Sequence, residues 1–209
     1  MTSPAPGFIH VFEPGVAGQD RALLLLHGTG GDEHDMLSLG KMVAPDFARL
    51  APRGQVKEGD LNRYFRRFAE GVIDPEDART RAIGLADFVV AAAAQYGIDR
   101  RKLTALGYSN GANMVTAMML LRPDAFGDAV LLRPMLPFQP DPGLDLSGRR
   151  VLVLGGASDQ VVSPAEVASH VKALGRTGAT VEGKIVAAGH QLARPDLEAI
   201  RAWLISVRS

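Results

Sequence analysis

The chain has 209 residues, which fits one domain over residues 1–209, because a chain of this length buries roughly 70% of its unfolded surface on folding. Its formal net charge is zero and its pI is about 7.0. It therefore lacks the basic surface that attracts nucleic acid or anionic lipid. The chain has no cysteine, which excludes disulfides, thiolate metal ligands and a cysteine nucleophile.

The N-terminal sequence MTSPAPGFIHVFEPG lacks the basic segment and the apolar core of a signal peptide. No apolar run reaches the length needed to span a bilayer. We therefore expect a cytoplasmic protein that inserts into no membrane and binds no nucleic acid.

Strands and helices alternate along the sequence. Residues 8–13 predict an edge strand, and the apolar run 21–26 predicts a strand that helices cover on both faces. Further strands are predicted at 47–51, 102–107, 130–132, 151–154 and 181–186, of which 151–154 is strongly apolar. Helical patterns occupy 33–43, 75–96, 113–121, 164–175 and 195–207. This order predicts an α/β fold with a mostly parallel central sheet and helices on both faces.

The segment before and within the second helix has distinct signals. Residues 52–74 are rich in charge, glycine and aromatics with no clear period, and we interpret them as a long functional loop. Asp74 suits the helix cap, Pro75 the first helical position and Gly97 the helix end. Apolar residues spaced three or four apart predict the side of this helix that faces the core: Ile83, Ala86, Val90 and Ala93.

The sequence Gly107-Tyr108-Ser109-Asn110-Gly111 joins an apolar strand directly to a helix. Glycine at 107 and 111 lets the backbone turn sharply and lets the helix pack close to the strand. Such a turn exposes one hydroxyl at the carboxyl edge of a sheet, beside a helix N-terminus. Ser109 is therefore the candidate nucleophile. The alternative is a purely structural glycine-serine turn.

A serine nucleophile needs a histidine base, which a carboxylate in turn orients. Only loops that follow strands reach the ligand site of a parallel sheet. His190 follows the last strand, and Asp159 closely follows an apolar strand between Ser109 and His190. The order serine, acid, histidine is that of the α/β-hydrolase fold. The alternatives are a loop carboxylate that caps a helix and a histidine with a structural role.

The loop HGTGGD, residues 27–32, is glycine-rich and lies between a strand and a helix. It lacks the motifs of a P-loop and of a dinucleotide-binding fold, which argues against nucleotide binding. We assign it to an oxyanion hole, with the backbone N–H groups of Thr29 and of Asn110 as donors. Because both donors belong to the main chain, we expect Asn110→Ala to keep substantial activity.

Four motifs carry a family resemblance over nearly the whole chain. HGTGGDE, GYSNG, GGASDQVV and GHQL together resemble the phospholipase/carboxylesterase family of small α/β-hydrolases, which includes acyl-protein thioesterases. RYFRRFAEG (63–71) and LLRPMLP (131–137) look most like the branch with hydroquinone-specific carboxylesterases. The resemblance implies an α/β-hydrolase fold without a separate cap domain.

The resemblance also implies cleavage of a small-molecule carboxylic ester without cofactor or metal and, as in many members, a homodimer. The thioesterase branch usually reads Gly-Phe-Ser-Gln-Gly-Gly, whereas this chain has Asn110 and Ala112, which argues against depalmitoylation. An acyl-protein thioesterase or lysophospholipase with the same triad is the alternative activity. A non-catalytic small-molecule-binding protein with this fold is a third hypothesis.

We expect a compact pocket for short acyl or aryl esters. Tyr64 and Phe65, in the segment 52–74, are candidates to flank this pocket, and the alternative is that such aromatics pack inward. Arg133 ends its strand at the same sheet edge as Ser109. There it pairs either with a carboxylate or phenolic oxygen of the substrate or with a nearby Asp or Glu.

Overall fold

The computed structural model describes residues 7–206. Its strands are β1 (His10–Glu13), β2 (Ala22–Leu26), β3 (Ala48–Pro52), β4 (Val56–Glu58), β5 (Leu61–Arg63), β6 (Arg67–Ala69), β7 (Val72–Ile73), β8 (Leu103–Tyr108), β9 (Ala129–Leu132), β10 (Arg150–Gly156) and β11 (Thr180–Val186). Its helices are α1 (Leu37–Val43), α2 (Pro75–Tyr96), α3 (Asn110–Leu121), α4 (Pro164–Gly175) and α5 (Arg194–Ser206). The predicted helix end at residue 207 lies outside the described residues.

The central sheet has the strand order β1-β3-β2-β8-β9-β10-β11. Strand β1 lies at one edge and pairs antiparallel with β3, whereas the other neighbouring strands pair in parallel. The predicted α/β fold with a mostly parallel sheet is confirmed. Because the parallel strands point the same way, the loops after β2, β8, β10 and β11 meet at one edge.

The side chains of β2 alternate between two cores. Leu24 and Leu26 pack with residues of α2, α3 and α4, whereas Leu23 and Leu25 pack with residues of α1 and α5. All residues of β2 are buried, which is why the strand is apolar throughout. Helices therefore cover both faces of the sheet. No helix among residues 7–206 is long and apolar enough to cross a membrane.

Helix α2 begins and ends where the sequence predicts. The Asp74 side chain accepts a hydrogen bond from the N–H of Asp77 at 3.1 Å, and Gly97 ends the helix with a φ of +69°. The predicted core side is wrong at Ile83, which is 45% exposed. The core side is instead that of Leu85, Phe88 and Val89, and the many alanines of this helix weaken the periodicity that would show it. The buried residues are Asp77, Ala78, Ala82, Leu85, Ala86, Phe88, Val89, Ala92 and Ala93.

The segment interpreted as a long loop contains two small hairpins. Strand β4 pairs antiparallel with β5, and β6 pairs antiparallel with β7, apart from the central sheet. Gly59 and Gly71 have φ values of +59° and +74° and allow the chain to reverse between the strands of each pair. Strands this short and this charged carry no alternating pattern, so the sequence did not predict them.

Candidate active site

Ser109 lies in a strained turn between β8 and α3. Its φ of +51° and ψ of −115° lie where residues with a side chain are rare. A Cβ on Gly107 would lie 2.5 Å from the carbonyl oxygen of Gly111, and a Cβ on Gly111 would lie 2.3 Å from that of Leu26. The two glycines are therefore required by the close approach of helix and strands.

Ser109, His190 and Asp159 come together at the carboxyl edge of the sheet. Ser109 Oγ lies 3.1 Å from His190 Nε2, and His190 Nδ1 lies 2.9 Å from Asp159 Oδ2. The three residues follow β8, β11 and β10 respectively. These distances are those required of a nucleophile, a general base and a carboxylate that orients the base.

The Asp159 carboxylate is held from two directions. Its Oδ1 accepts the N–H groups of Val161 and Val162 at 2.7 and 3.0 Å, while Oδ2 faces His190. Burial raises the pKa of Asp159, but the hydrogen bonds from Val162, Val161 and His190 outweigh this effect and hold its pKa below the ordinary aspartate value. Asp159 thus stays ionised, and it holds its own loop and contacts His190 at the same time.

Thr29 and Asn110 border the same pocket as Ser109. Within residues 7–206, neither backbone N–H donates a hydrogen bond to another protein group. Asn110 is the first residue of α3, where backbone N–H groups have no partner inside the helix. Both N–H groups thus lack a protein acceptor among the described residues, as donors of an oxyanion hole must.

The Asn110 side chain has a structural role that sequence reasoning missed. Its Oδ1 accepts the backbone N–H of Tyr64 at 2.8 Å, across 46 residues of sequence, and the residue is 2% exposed. The side chain therefore joins the turn to the segment 52–74, and the expectation that Asn110→Ala keeps substantial activity stays a prediction. A buried amide needs a partner, but the sequence alone does not say which.

Tyr64 and Phe65 do not flank the pocket, contrary to the sequence expectation. Both are buried, at 2% and 0% exposure. The Tyr64 hydroxyl donates to the carbonyl of Pro52 at 2.7 Å and accepts the N–H of His27 at 3.2 Å. The alternative interpretation, that the aromatics of this segment pack inward, is correct for Tyr64 and Phe65, because large rings gain from burial in the core. It is wrong for Phe68, which is 71% exposed.

Arg133 is also buried, so the expectation that it contacts substrate is wrong. Its guanidinium forms a two-pronged ion pair with Asp196, with both N–O distances at 2.8 Å. Its Nε donates to the carbonyl of Gly189 at 2.8 Å. The other interpretation, pairing with an acidic residue, is correct.

His27 shapes the glycine-rich loop from inside. Its Nδ1 donates to the carbonyl of Gly28 at 2.7 Å, and its Nε2 accepts the N–H of Gly54 at 3.0 Å. Accepting that N–H requires a neutral imidazole. Burial lowers the pKa of His27 and so favours this neutral form.

The pocket beside Ser109 has a volume of about 250 Å³. Its walls are formed by Thr29, Arg63, Arg67, Glu70, Gly71, Val72, Ile73, Ser109, Asn110, Asn113, Met135, Val161 and His190. Six of these residues come from the segment 52–74, as expected of a functional loop. No group of His, Asp and Glu side chains among residues 7–206 is arranged to hold a metal ion.

A larger cleft lies at the opposite edge of the sheet. It has a volume of about 500 Å³ and is bordered by Arg21, Lys102 and Asp128, among others. These residues lie at or just before the amino ends of β2, β8 and β9. The cleft is therefore remote from Ser109. We place the candidate active site in the smaller pocket, because Ser109 and His190 line that pocket.

Comparisons with known proteins agree with these observations. No protein-family model matches the chain. The chain is 37% identical over 194 residues to MhqD of Bacillus subtilis (strain 168), which is named as a hydrolase, and the match covers 93% of this chain and 96% of MhqD.

Two solved structures are similar along most of their length. The Bacillus cereus carboxylesterase has 36% identity and a TM-score of 0.92, covering 96% of this chain and 95% of that one. The Mesorhizobium loti carboxylesterase has 36% identity and a TM-score of 0.85, covering 90% and 89%. The chain therefore belongs to the phospholipase/carboxylesterase family of α/β-hydrolases, as its motifs predict.

Proposed function

We propose that this chain is a serine carboxylesterase that hydrolyses short-chain or aryl carboxylic esters through an acyl-Ser109 intermediate. The observation that carries the proposal is the contact of 3.1 Å between Ser109 Oγ and His190 Nε2, continued by Asp159 on the other side of the ring. Family membership supports ester hydrolysis as the reaction.

Acylation begins when Ser109 Oγ attacks the ester carbonyl carbon and His190 Nε2 takes the hydroxyl proton. The N–H groups of Thr29 and Asn110 stabilise the resulting oxyanion, and each such donor lowers the barrier by about 2.7 to 4 kcal/mol. Asp159 stabilises the imidazolium. The bond to the alcohol oxygen then breaks, and the leaving alcohol takes the proton from His190.

Deacylation repeats these steps with water. A water molecule attacks the acyl carbon and gives a proton to His190, and the second oxyanion occupies the same position as the first. Ser109 Oγ then leaves and recovers its proton from His190, which releases the carboxylic acid. The cycle uses only water and the residues of the chain, so the proposal includes neither a cofactor nor a metal.

The pocket supports a short acyl chain or an aryl group. Its volume of about 250 Å³ is below the range of about 300 to 1,000 Å³ typical of ligand pockets. Charged side chains of Arg63, Arg67 and Glu70 share its wall with apolar ones. Each methylene gains about 0.8 kcal/mol only when it is buried against apolar surface. A long acyl chain would meet charged groups instead.

The panel of p-nitrophenyl acetate, butyrate, octanoate and palmitate tests this proposal. We expect kcat/KM to be highest for acetate or butyrate, and Ser109→Ala to hydrolyse none of them. A maximum at octanoate or palmitate would favour the thioesterase or lysophospholipase alternative. Absence of turnover with every ester would favour the non-catalytic hypothesis. The homodimer and the cytoplasmic location stay predictions from the sequence.

A further inference from the structure

The segment 62–64 connects the glycine-rich loop to the turn that carries Ser109. Asn62 contacts the loop twice, since its carbonyl accepts the N–H of Gly30 at 2.9 Å and its Nδ2 donates to the carbonyl of Gly31 at 2.8 Å. Asn62 is 8% exposed. These two hydrogen bonds therefore hold the glycine-rich loop against β5.

Arg63 contacts the residue proposed as the first oxyanion donor. Its Nη1 donates to Thr29 Oγ1 at 2.6 Å, and its Nε donates to the carbonyl of Phe65 at 3.2 Å. The side chain is 5% exposed and pairs with Glu58 at 3.4 Å. A buried guanidinium held at several atoms has little freedom, so it sets the position of the Thr29 hydroxyl.

Tyr64 contacts the residue proposed as the second donor. Its backbone N–H donates to Asn110 Oδ1 at 2.8 Å, and its hydroxyl is anchored to Pro52 and His27. The consecutive residues Arg63 and Tyr64 thus contact the two proposed donors. Thr29 lies in the glycine-rich loop, and Asn110 begins α3.

We propose that Arg63 is a positioning residue of the oxyanion hole, acting through Thr29. The inference rests on the proposed function. An oxyanion exists only in the tetrahedral intermediates, so correct placement of the Thr29 N–H stabilises those states and not the bound ester. Acylation and deacylation both pass through an oxyanion. A misplaced donor should therefore lower kcat and leave KM nearly unchanged.

The test compares Arg63→Met, Thr29→Val and the double variant, with p-nitrophenyl acetate as substrate. Thr29→Val removes only the hydroxyl that Arg63 contacts and keeps the backbone N–H. We expect each single change to lower kcat by about tenfold to a hundredfold, less than the loss of a whole donor. Because both changes break the same contact, the double variant should lose no more than the poorer single variant.

An aryl trifluoromethyl ketone supplies a readout of the oxyanion itself. Ser109 Oγ adds to its carbonyl carbon, His190 takes the proton, and the product carries an oxyanion in the proposed hole. The inhibition constant should rise in each variant by the same factor by which kcat falls. Arg63→Lys and Thr29→Ser, which preserve a donor and an acceptor, should recover most of the loss.

Arg66→Met is the matched control. Arg66 belongs to the same segment, but its side chain is 65% exposed and pairs with Asp74 and Asp77 rather than with the loop. Its kcat and inhibition constant should equal those of the wild type. If Arg63→Met fails to fold, the comparison of Thr29→Val with Thr29→Ser still tests the contact between Arg63 and the Thr29 hydroxyl.

Three results would overturn the positioning role: unchanged kcat and inhibition constant in Thr29→Val, losses that multiply in the double variant, or a rise in KM with unchanged kcat. The last result would make Arg63 a substrate-binding residue. A wild-type protein that neither hydrolyses p-nitrophenyl esters nor binds the ketone would instead contradict the proposed function, so the two failures are distinguishable.

Discussion

Arg133 and Asp196 form a two-pronged ion pair in which both side chains are completely buried. Arg133 has a φ of +55°, and within residues 7–206 only Ser109 shares a positive φ among the non-glycine residues. Each of these two residues follows a strand, and each donates its N–H to a strand carbonyl, Ser109 to Leu132 and Arg133 to Leu154. The buried arginine thus occupies, after β9, the position that Ser109 occupies after β8.

The ion pair holds the loop that carries His190. Arg133 Nε donates to the carbonyl of Gly189 at 2.8 Å, and its Nη2 donates to that of Gln191 at 3.4 Å. The main chain on both sides of His190 is therefore tied to one guanidinium. Asp196 keeps that guanidinium neutralised.

Asp196→Ala should lower the free energy of unfolding by about 3 to 5 kcal/mol, because it removes the two-pronged partner of the buried Arg133 and leaves only Asp159, whose Oδ2 lies 3.9 Å from Arg133 Nε. Urea titration followed by circular dichroism measures the change. Glu198→Ala is the control on the same helix, since Glu198 pairs with Arg194 at the surface, where such a pair contributes about 0.3 to 0.5 kcal/mol. Equal losses of unfolding free energy in the two variants would show that the buried pair stabilises the fold no more than the surface pair does.

The sequence predicts the meeting of Ser109, Asp159 and His190 because each of them closely follows a predicted strand. Once the strands are parallel, their carboxyl ends share an edge, and residues far apart in sequence become neighbours. The glycines of the turn add a local steric signal at Ser109. Placement of the three residues therefore depends on strand order and not on side-chain packing.

Side-chain direction at that edge was not predictable. Arg133 ends a strand beside Ser109, yet it turns inward to a carboxylate 63 residues away, with a φ that the sequence gives no reason to expect of arginine. Tyr64 and Asn110 likewise meet across 46 residues. Contacts of this kind depend on the packed structure, and the short strands β4 to β7 that bring Tyr64 there carry no periodic signal.

Asp159→Asn should lower kcat by about a thousandfold to ten thousandfold while the fold stays intact. The N–H groups of Val161 and Val162 both point at Oδ1, so the amide oxygen of the asparagine will occupy that position. Its NH2 group then faces His190 Nδ1 and favours the tautomer that leaves no acceptor for the Ser109 proton. Turnover of p-nitrophenyl acetate and thermal unfolding measure the two effects.

Asp159→Ala provides the comparison, because it loses the bonds to Val161 and Val162 as well. We expect it to match Asp159→Asn in activity but to unfold at a lower temperature. Near-wild-type turnover in Asp159→Asn would mean that the carboxylate charge is not needed to orient His190.

Ser109→Ala should abolish covalent labelling by a fluorophosphonate, since Ser109 is the proposed nucleophile and the one serine among the residues that line the pocket. Intact-protein mass spectrometry should show one adduct per wild-type chain. Ser38→Ala is the control, because Ser38 is exposed on α1 and should label as the wild type does. An undiminished adduct in Ser109→Ala would place the nucleophile elsewhere.

We expect His170 to make folding sensitive to acid. It is 1% exposed on α4, with Nε2 at 3.2 Å from Thr116 Oγ1, and burial lowers its pKa from 6.5 to about 4. Between these values the unfolded chain binds a proton that the folded protein does not. The contribution to stability is therefore complete above about pH 6.5 and is lost as pH falls towards 4, by roughly 3 kcal/mol in total.

His170→Gln removes the titrating group while keeping a side chain able to bond with Thr116. Urea unfolding from about pH 7 to about pH 4 should show a steeper fall in the free energy of unfolding for the wild type than for this variant. Carboxylates contribute to both curves, so their difference isolates His170. His34→Gln, which changes an exposed histidine, should follow the wild-type curve. Parallel curves for His170→Gln and the wild type would show that burial of His170 does not cause the acid sensitivity.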